Sequence, residues 1–409
     1  MPPRSYSPFD LGGTSVVVAL PVVLLTGPRQ VGKTTLLQHL RDPGRKYVTL
    51  DDPSLRALAQ EDPGLFLQRF EPPVLIDEIQ YAPRLLPLIK MAVDADRKTG
   101  MFWLTGSQQF QMMKGVSETP AGRVAVMNLL GFSGRERHRL RLEVSPFLPA
   151  PDRLKERETS AVTLGLKKAY QDIWLGSFPA LTAGPAKDRD LFYSSYLQTY
   201  LQRDVKDLAQ VGSEASFLRF LKACAARTAQ MLNLTELARD ADVSVNTAKN
   251  WLSILQASLQ VRLLQPYHTS ATKRLVKTPK LYFLDTGLCA YLTDWSSAAT
   301  LEAGAMSGAI LETYVFTEML KSWWHLGRMP QVYYYRDKEG KEIDLLFVQD
   351  QMFYPLEVRK SISPRREWAA SFTALDRFKL GWAEGGVVCL CREILPLSDK
   401  VTAIPLGLI

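Results

Sequence analysis

The spacing of hydrophobic positions changes along the chain, and each spacing predicts a different kind of element. Residues 22–25 form a continuous apolar run, a loop with two glycines follows, and residues 34–40 continue with helical spacing. Continuous apolar runs at 73–76 and 101–104 predict further strands buried on both faces. The first 135 residues are therefore expected to form an α/β domain with a parallel sheet.

Helical spacing dominates the middle of the chain. Residues 188–208 place Phe192, Tyr196 and Tyr200 at every fourth position, which indicates a helix with an aromatic core stripe. The charged and proline-interrupted stretch before it, 134–160, is expected to be a linker or lid whose basic residues are solvated. Strands are predicted again beyond residue 258, where apolar and polar positions begin to alternate.

Composition and charge narrow the class of protein. The 409 residues suffice for two to four domains, and 46% hydrophobic with 22% charged residues is typical of soluble globular proteins. The net charge of +8 favours acidic partners, nucleic acid before an anionic membrane. Four scattered cysteines indicate a reducing cytoplasm, with Cys389 and Cys391 on a buried strand. The apolar stretch 15–25 is short and contains Pro21, so we expect no membrane span and no signal peptide.

A phosphate-binding loop is the strongest local signal. Residues 27–34 match G-x-x-x-x-G-K-[ST] between the predicted strand and helix, and the glycines allow backbone N–H groups to surround phosphate oxygens. Lys33 is expected to reach the β- and γ-phosphates of ATP, and the Thr34 hydroxyl to complete the shell of Mg²⁺. The predicted ATP-binding residues are Gly27, Pro28, Arg29, Gln30, Val31, Gly32, Lys33, Thr34 and Thr35.

Polar residues at the ends of the next two strands predict the catalytic half of this site. Asp77 would hold Mg²⁺ and Glu78 would orient the attacking water. The alternative is that both are exposed acidic residues at the start of a helix. Ser107 and Gln108 end the third strand, either as sensors of the γ-phosphate or as a plain turn. Together with Lys33, these residues are the predicted catalytic set.

The motifs together resemble a known family. The segments "LLTGPRQVGKTTLL", "VLIDE", "YLQRDV", "NLTELARD", "KLYFLDTGL" and "EIDLLF" are similar to bacterial and archaeal AAA-family ATPases that carry a C-terminal domain of unknown function. The resemblance implies ATP use and a C-terminal fold like that of restriction endonucleases. It also implies that Arg123, just before another apolar strand, is either an arginine finger that reaches a neighbouring subunit or an ordinary surface arginine.

Residues 232–256 have the pattern of a helix-turn-helix, in which Ser244 caps a second helix with Val245 on its inward face. Strands at 259–267 and 280–287 would add a wing, whose basic loop also includes Lys280. Winged helices contact DNA, but within AAA proteins they also serve as lids or protein-contact modules. The predicted DNA-binding residues are Asn246, Lys249, Asn250, Lys273, Arg274 and Lys277.

The last hundred residues carry the outline of a metal-dependent nuclease site. Asp344 and Glu357 lie on neighbouring predicted strands, and Glu312 on a preceding helix could supply a third carboxylate. Arg359 stands where such sites have lysine, and it cannot act as a base. Lys360 would face the other side of the strand. The pattern therefore favours a structural or DNA-holding remnant over an active nuclease.

The sequence predicts an α/β chain with an AAA-type P-loop NTPase core, a helical connector, a winged helix and an endonuclease-like domain. The predicted boundaries are 1–135, 136–212, 213–298 and 299–409. The expected function is a cytoplasmic Mg²⁺-dependent ATPase that couples hydrolysis to engagement of DNA or a protein partner. It is expected to be a homo-oligomer, for which a ring is one form. The alternatives are an ATP-regulated nuclease and a signalling or scaffold NTPase that binds proteins only.

Overall fold

The chain divides into two compact units in this computed structural model, which describes residues 20–107, 123–205, 214–268 and 278–409. The first unit comprises residues up to 131 with 257–259 and 324–328, and the second contains the remainder. Gln108, Lys273, Arg274 and Lys277 lie outside the described residues. No helix in the described part of the chain is long and apolar enough to cross a membrane.

The first unit is built on a five-stranded parallel sheet, as the apolar runs predict. Its strands are β1 (Val22–Thr26), β2 (Lys46–Thr49), β3 (Val74–Asp77), β4 (Phe102–Gly106) and β5 (Val124–Asn128). Their order across the sheet is β2–β3–β4–β1–β5. In the central register, Leu24 of β1 lies between Leu104 of β4 and Val126 of β5. Because β4 separates β1 from β3, the end of β4 emerges between the phosphate-loop segment and the Asp77–Glu78 segment.

Four α-helices and a short 3₁₀ helix (Ile79–Tyr81) complete the described part of this unit. The α-helices are α1 (Lys33–Leu40), α2 (Pro53–Glu61), α3 (Pro63–Arg69) and α4 (Leu85–Asp96). Helix α2 begins where the side chain of Asp52 accepts hydrogen bonds from two backbone N–H groups and Pro53 occupies the first turn. Buried apolar side chains of the sheet and helices form one core, which includes Leu24, Ile76 and Phe66. This core holds the carboxyl ends of β1, β3 and β4 at one edge of the sheet.

The second unit begins with a helical region. Its described helices are α5 (Gly134–Arg137), α6 (Pro151–Glu158), α7 (Leu166–Leu175), α8 (Pro179–Thr182), α9 (Arg189–Thr199), α10 (Glu214–Ala226), α11 (Leu234–Ala241), α12 (Val245–Ala257), α13 (Thr286–Leu292), α14 (Ala298–Ala303) and α15 (Ser307–Trp324). The predicted helix at 188–208 ends at Thr199 and continues as a π-helix, Tyr200–Val205. Tyr196 and Tyr200 are buried, with parallel rings 6.4 Å apart, as expected of a core stripe.

The expectation that the basic residues of 134–160 are solvated is wrong for Arg135 and Arg157, while Arg139, Arg141 and Lys155 are exposed as expected. Arg135 is only 5% exposed, and Arg157 is 1% exposed and donates to the carbonyls of Leu408 and Ser145. Burial lowers the pKa of Arg157, but its carbonyl partners let a guanidinium remain in the interior. The segment is therefore packed into the second unit through Arg135 and Arg157, which act as internal hydrogen-bond donors.

The motif "LYFLDTG" forms a junction within the second unit. Asp285 caps α13 and accepts hydrogen bonds from the backbone and hydroxyl of Ser177 and from Tyr193 OH, all at 2.7–2.9 Å. A Cβ added to Gly287 would lie 2.5 Å from the Cα of Gly176, so the two backbones meet where no side chain fits. The motif thus joins the helical region to the strand formed by Lys280–Phe283.

Two sheets complete the second unit. The smaller is antiparallel, in the order β6 (Gln230–Met231), β8 (Lys280–Phe283) and β7 (Val261–Leu264). The larger has six strands in the order β13–β14–β12–β11–β10–β9. Its strands are β9 (Val332–Arg336), β10 (Glu342–Gln349), β11 (Met352–Val358), β12 (Gly385–Cys389), β13 (Leu395–Pro396) and β14 (Val401–Pro405). The meander β9–β10–β11 is antiparallel, and β11, β12 and β14 run parallel. Cys389 and Cys391 are buried free thiols.

Candidate ATP-binding site

The loop between β1 and α1 has the backbone that its glycines predict. Gly32 has φ +92°, and Gln30 also lies in the left-handed region at φ +62°. A Cβ on Gly27 would lie 2.1 Å from the carbonyl oxygen of Leu129, which follows β5. Only glycine fits at position 27, because β5 packs directly against the loop. The loop therefore presents its N–H groups at the start of α1, where the helix dipole favours an anion.

Lys33 points into this loop. It is 6% exposed, and its Nζ donates to the carbonyl oxygens of Gly27 at 2.9 Å and Pro28 at 2.8 Å. The ammonium thus lies inside the curve that would surround a phosphate chain. Arg29 extends from the same loop, and its Nη2 lies 3.4 Å from the hydroxyl of Tyr81.

Asp77 is the point at which three strands and α1 meet. Its Oδ1 accepts from Thr34 Oγ1 at 2.8 Å and from Thr105 Oγ1, and its Oδ2 accepts from Tyr47 OH at 3.3 Å. Burial, and then the Asp77 charge, raise the pKa of Tyr47, which keeps this phenol a donor. Thr34 and Asp77 offer adjacent hard oxygen atoms, the donor type that Mg²⁺ takes when it retains several waters. These two residues fit the predicted metal.

Glu78 has a special backbone conformation. Its φ of +58° and ψ of +45° place a non-glycine residue in the left-handed region, at a cost of about 1–3 kcal/mol. Its N–H donates to Thr105 Oγ1 at 3.2 Å, and its carboxylate accepts from Gln80 Nε2. The same Nε2 lies 3.4 Å from Ser107 Oγ at the end of β4. The structure therefore brings Lys33, Thr34, Asp77, Glu78 and Ser107 to one edge of the sheet.

Arg123 lies at the opposite edge. Its carbonyl oxygen accepts from the N–H of Val22 at 3.2 Å, at the start of β1, and its guanidinium forms an ion pair with Asp94 of α4. A strand of five residues separates it from the end of the sheet that carries the phosphate loop. Within its own chain, Arg123 is thus not part of the site.

The predicted DNA-binding residues that are described share one helix face. Asn246, Lys249 and Asn250 of α12 are exposed, while Ala248 and Trp251 are buried. The helix begins at the expected cap, since Ser244 Oγ accepts from the N–H of Thr247 at 3.1 Å. Val245 is 44% exposed, so its predicted inward position is wrong. It stands in the first turn, before the buried stripe begins.

Lys280 is not on the basic loop surface where the sequence placed it. It is 4% exposed, and its Nζ lies 3.2 Å from Glu312, 2.6 Å from Glu342 and 4.0 Å from Asp344. Tyr282 OH donates to the same Glu312 oxygen at 2.5 Å. Burial lowers the pKa of Lys280, but the three carboxylates raise it above its usual value, so the side chain stays charged. The buried ammonium of Lys280 thus lies among the carboxylates from which a metal site was predicted.

Arg359 neutralises the other half of this cluster. Its guanidinium lies 2.6 Å from Glu357 and 3.4 Å from Asp344, whose Oδ2 also accepts from the N–H of Val358 at 2.9 Å. Burial, and then Asp344, raise the pKa of Glu357 to about 9 despite Arg359, and the same two causes raise that of Glu312 to about 7. Among the described residues, no group of three or more His, Cys, Asp or Glu is placed to hold a metal.

Lys360 faces away from Glu357, as strand alternation predicts, and forms an ion pair with Glu302.

Several residues that contact the ATP-binding site or the C-terminal carboxylates were not predicted as site residues. Tyr47, Thr105 and Lys280 reach them from strands distant in sequence, and no local pattern marks them. Two partners had a local signal: "DEIQ" places Gln80 two residues beyond Glu78, and "EID" places Glu342 two residues before Asp344 on the same strand.

These features define a P-loop nucleotide-binding protein of AAA type. Residues 20–138 match the family described as AAA domain, and residues 166–299 and 307–409 match two domains of unknown function, DUF8612 and DUF4143. The prediction of an AAA-type core followed by a C-terminal domain of unknown function is confirmed. So is the prediction of a mixed α/β fold with a parallel sheet.

The chain also has relatives that match it over most of its length. It is 30% identical over 387 residues to the uncharacterized proteins Rv2008c of Mycobacterium tuberculosis and Mb2031c of Mycobacterium bovis, covering 94% of this chain and 80% of each relative. The chain belongs to the family of these two mycobacterial proteins. A RuvB structure from Thermotoga maritima aligns at 16% identity over 65% of this chain and 94% of its own, with a TM-score of 0.25.

Proposed function

We propose that this protein is a Mg²⁺-dependent ATPase whose hydrolysis switches or drives the engagement of DNA by its second unit. The observation that carries the ATPase part is the contact between Thr34 and Asp77, which joins the phosphate loop to the acidic strand beside Glu78. This pairing supplies a phosphate cradle, a cation site and a carboxylate at one sheet edge. Catalysis of phosphoryl transfer depends mainly on such positioning and charge.

Each residue then has a role. Lys33 would release the loop carbonyls and bind the β- and γ-phosphates, while Thr34 and Asp77 would hold Mg²⁺, which neutralises phosphate charge when bound. Glu78 would accept a hydrogen bond from the attacking water and orient it. Ser107, with Gln108 beyond the described residues, would contact that water or the γ-phosphate at the end of β4.

Arg123 supports an oligomer, and a ring is one form this could take. It lies at the sheet edge opposite its own phosphate loop, so it could reach a nucleotide only in a neighbouring copy. In that assembly its guanidinium would exchange Asp94 for the γ-phosphate of the neighbour's ATP. We propose it as an arginine finger that acts between subunits.

The order of elements from α10 to β8 supports a winged helix. Two helices meet at a turn where Asp242 has φ +56°, and a three-stranded antiparallel sheet takes β6 from before them and β7 and β8 from after them. The exposed face of α12 carries residue types that bind base edges and phosphates. With the net charge of +8, this face favours DNA over a protein partner.

Duplex DNA is therefore expected to bind in a salt-dependent manner, and Lys249→Ala should weaken binding. Loss of one phosphate contact should reduce the slope of log K against log salt by about 1. Fluorescence anisotropy with a labelled duplex at several salt concentrations measures this slope. Lys400→Ala, an exposed change in the large sheet, is the control and should leave the slope unchanged. Failure of the wild type to bind at low salt, or an unchanged slope for Lys249→Ala, would contradict DNA engagement through α12.

The C-terminal carboxylate cluster is proposed as a nuclease-like remnant without cleavage activity. Lys280 and Arg359 already pair with the carboxylates that would have to bind Mg²⁺. Glu357 is 1% exposed, which leaves no access for a phosphodiester. The cluster instead joins β8 of the small sheet to α15 and β10, as an internal ionic core of the second unit.

A further inference from the structure

Gln80 is a buried amide at the centre of the ATP-binding site, and the roles proposed above do not use it. It lies in a short 3₁₀ helix (Ile79–Tyr81) directly after β3 and is 7% exposed. Its Nε2 donates to the Glu78 carboxylate and lies 3.4 Å from Ser107 Oγ. One amide nitrogen thus connects the proposed water-orienting carboxylate with the end of β4.

The orientation of this amide is fixed by chemistry. A carboxylate only accepts hydrogen bonds, so the nitrogen of Gln80 must face Glu78 and the oxygen must point elsewhere. That oxygen, Oε1, is buried and has no hydrogen-bond partner in the described structure. A buried carbonyl oxygen without a partner is disfavoured. A methionine of the same length would pack here without this unsatisfied oxygen, so packing does not account for a glutamine.

The backbone of Glu78 helps to fix the position of its carboxylate. Its left-handed conformation turns the chain sharply between β3 and the 3₁₀ helix, and Thr105 holds its N–H. The carboxylate is then fixed at its far end by Gln80. Covalent amide geometry places Oε1 of Gln80 within about 5 Å of the bonded Glu78 oxygen. Two acceptors at that separation can receive the two hydrogens of a single water.

We propose that Gln80 is a positioning residue for ATP hydrolysis. Its Nε2 holds the Glu78 carboxylate and connects it to Ser107, and its Oε1 accepts the second hydrogen of the water that Glu78 orients. The attacking water is thereby held by two acceptors, and movement at the end of β4 reaches Glu78 through one side chain. This inference rests on the proposed ATPase function.

The test is Gln80→Met, which keeps the size of the side chain and removes both amide groups. We expect kcat for ATP to fall about tenfold or more with KM within twofold, because a misplaced water slows the reaction without weakening nucleotide binding. The melting temperature should not fall, since the unsatisfied oxygen is removed. Gln80→Glu, which retains an acceptor but repels Glu78, should reduce kcat at least as far. Gln68→Met on the exposed face of α3 is the matched control and should have wild-type kcat.

A second comparison isolates the connection to Ser107. The effects of Gln80→Met and Ser107→Ala on kcat should be less than multiplicative in the double variant, because both break the same contact. If the wild type hydrolyses ATP and Gln80→Met keeps its kcat, or loses kcat only together with thermal stability, this inference is wrong while the ATPase proposal stands. If the wild type does not hydrolyse ATP, both proposals fail.

Discussion

Glu78→Gln is expected to lower kcat for ATP hydrolysis by about 10²–10³-fold while ATP affinity stays within about twofold of the wild type. A positioned carboxylate contributes a factor of this size by accepting a proton or orienting water in the transition state. The amide that replaces it is nearly isosteric, and the change does not touch Lys33 or the loop N–H groups, which are the proposed phosphate contacts. The loss should therefore appear in kcat and not in binding.

Phosphate release at saturating MgATP and equilibrium binding of a fluorescent ATP analogue measure these two quantities. Glu71→Gln is the matched control, since Glu71 is exposed and lies in the loop just before β3. Its kcat should equal that of the wild type. A Glu78→Gln variant that hydrolyses ATP within threefold of the wild-type rate would exclude Glu78 as the residue that orients water.

Lys280→Met is expected to have the largest effect on stability, a loss of about 3–5 kcal/mol of unfolding free energy at pH 8. The change keeps the length of the side chain but leaves Glu312, Glu342 and Asp344 without the ammonium that lies among them. Removal of one partner from a buried ionic group costs more than the pair contributes, because the remaining charges stay desolvated.

The effect of Lys280→Met should also depend on pH. Burial and Asp344 already raise the pKa of Glu312 to about 7, and removal of the opposing Lys280 raises it further. A carboxyl group whose folded pKa is raised contributes stability at low pH that is lost as pH rises through that pKa. The loss of unfolding free energy should therefore be smaller at pH 5, where the carboxylates take up protons, than at pH 8.

Urea denaturation at both pH values measures this loss. Lys341→Met is the control, because Lys341 is 49% exposed and lies 4.0 Å from Glu339 at the surface. It should change the unfolding free energy by less than about 1 kcal/mol. A loss below 1 kcal/mol for Lys280→Met, or one equal at pH 5 and pH 8, would show that Lys280 does not hold the carboxylate cluster together.

The sequence anticipated those parts of the molecule that depend on local pattern. The phosphate loop, β3 with Asp77, and the exposed face of α12 follow from periodicity and from glycines that the backbone requires. What it could not anticipate depends on contacts between distant segments. Lys280 looks like one of several loop cations, and only the register of β8 against β7 directs it to Glu312 and Asp344. The buried Arg157 likewise gains its partner from Leu408, 251 residues away.

The acidic motif at Asp77 lies beside a phosphate loop as predicted, whereas the motif of Asp344 and Glu357 is paired with cations. Asp77 follows an apolar run next to a phosphate loop, so its neighbours are largely set by the parallel sheet. Asp344 and Glu357 also occupy neighbouring strands, as predicted. Their chemistry, however, depends on which cation reaches them. Lys280 reaches them from β8 of the small sheet, and Arg359 reaches them from the residue directly after β11. No spacing within the motif reveals Lys280.

We propose above all that this chain hydrolyses MgATP at the loop that contains Lys33. The direct measurement is phosphate release from MgATP by the purified full chain, comparing the wild type with Lys33→Ala and with Lys98→Ala, whose side chain is 76% exposed. We predict turnover by the wild type and Lys98→Ala, and a rate below about 1% of wild type for Lys33→Ala, because the cation that stabilises the transferred phosphoryl group is gone. A wild type without turnover, or a Lys33→Ala variant that retains turnover, would contradict ATP hydrolysis at this loop.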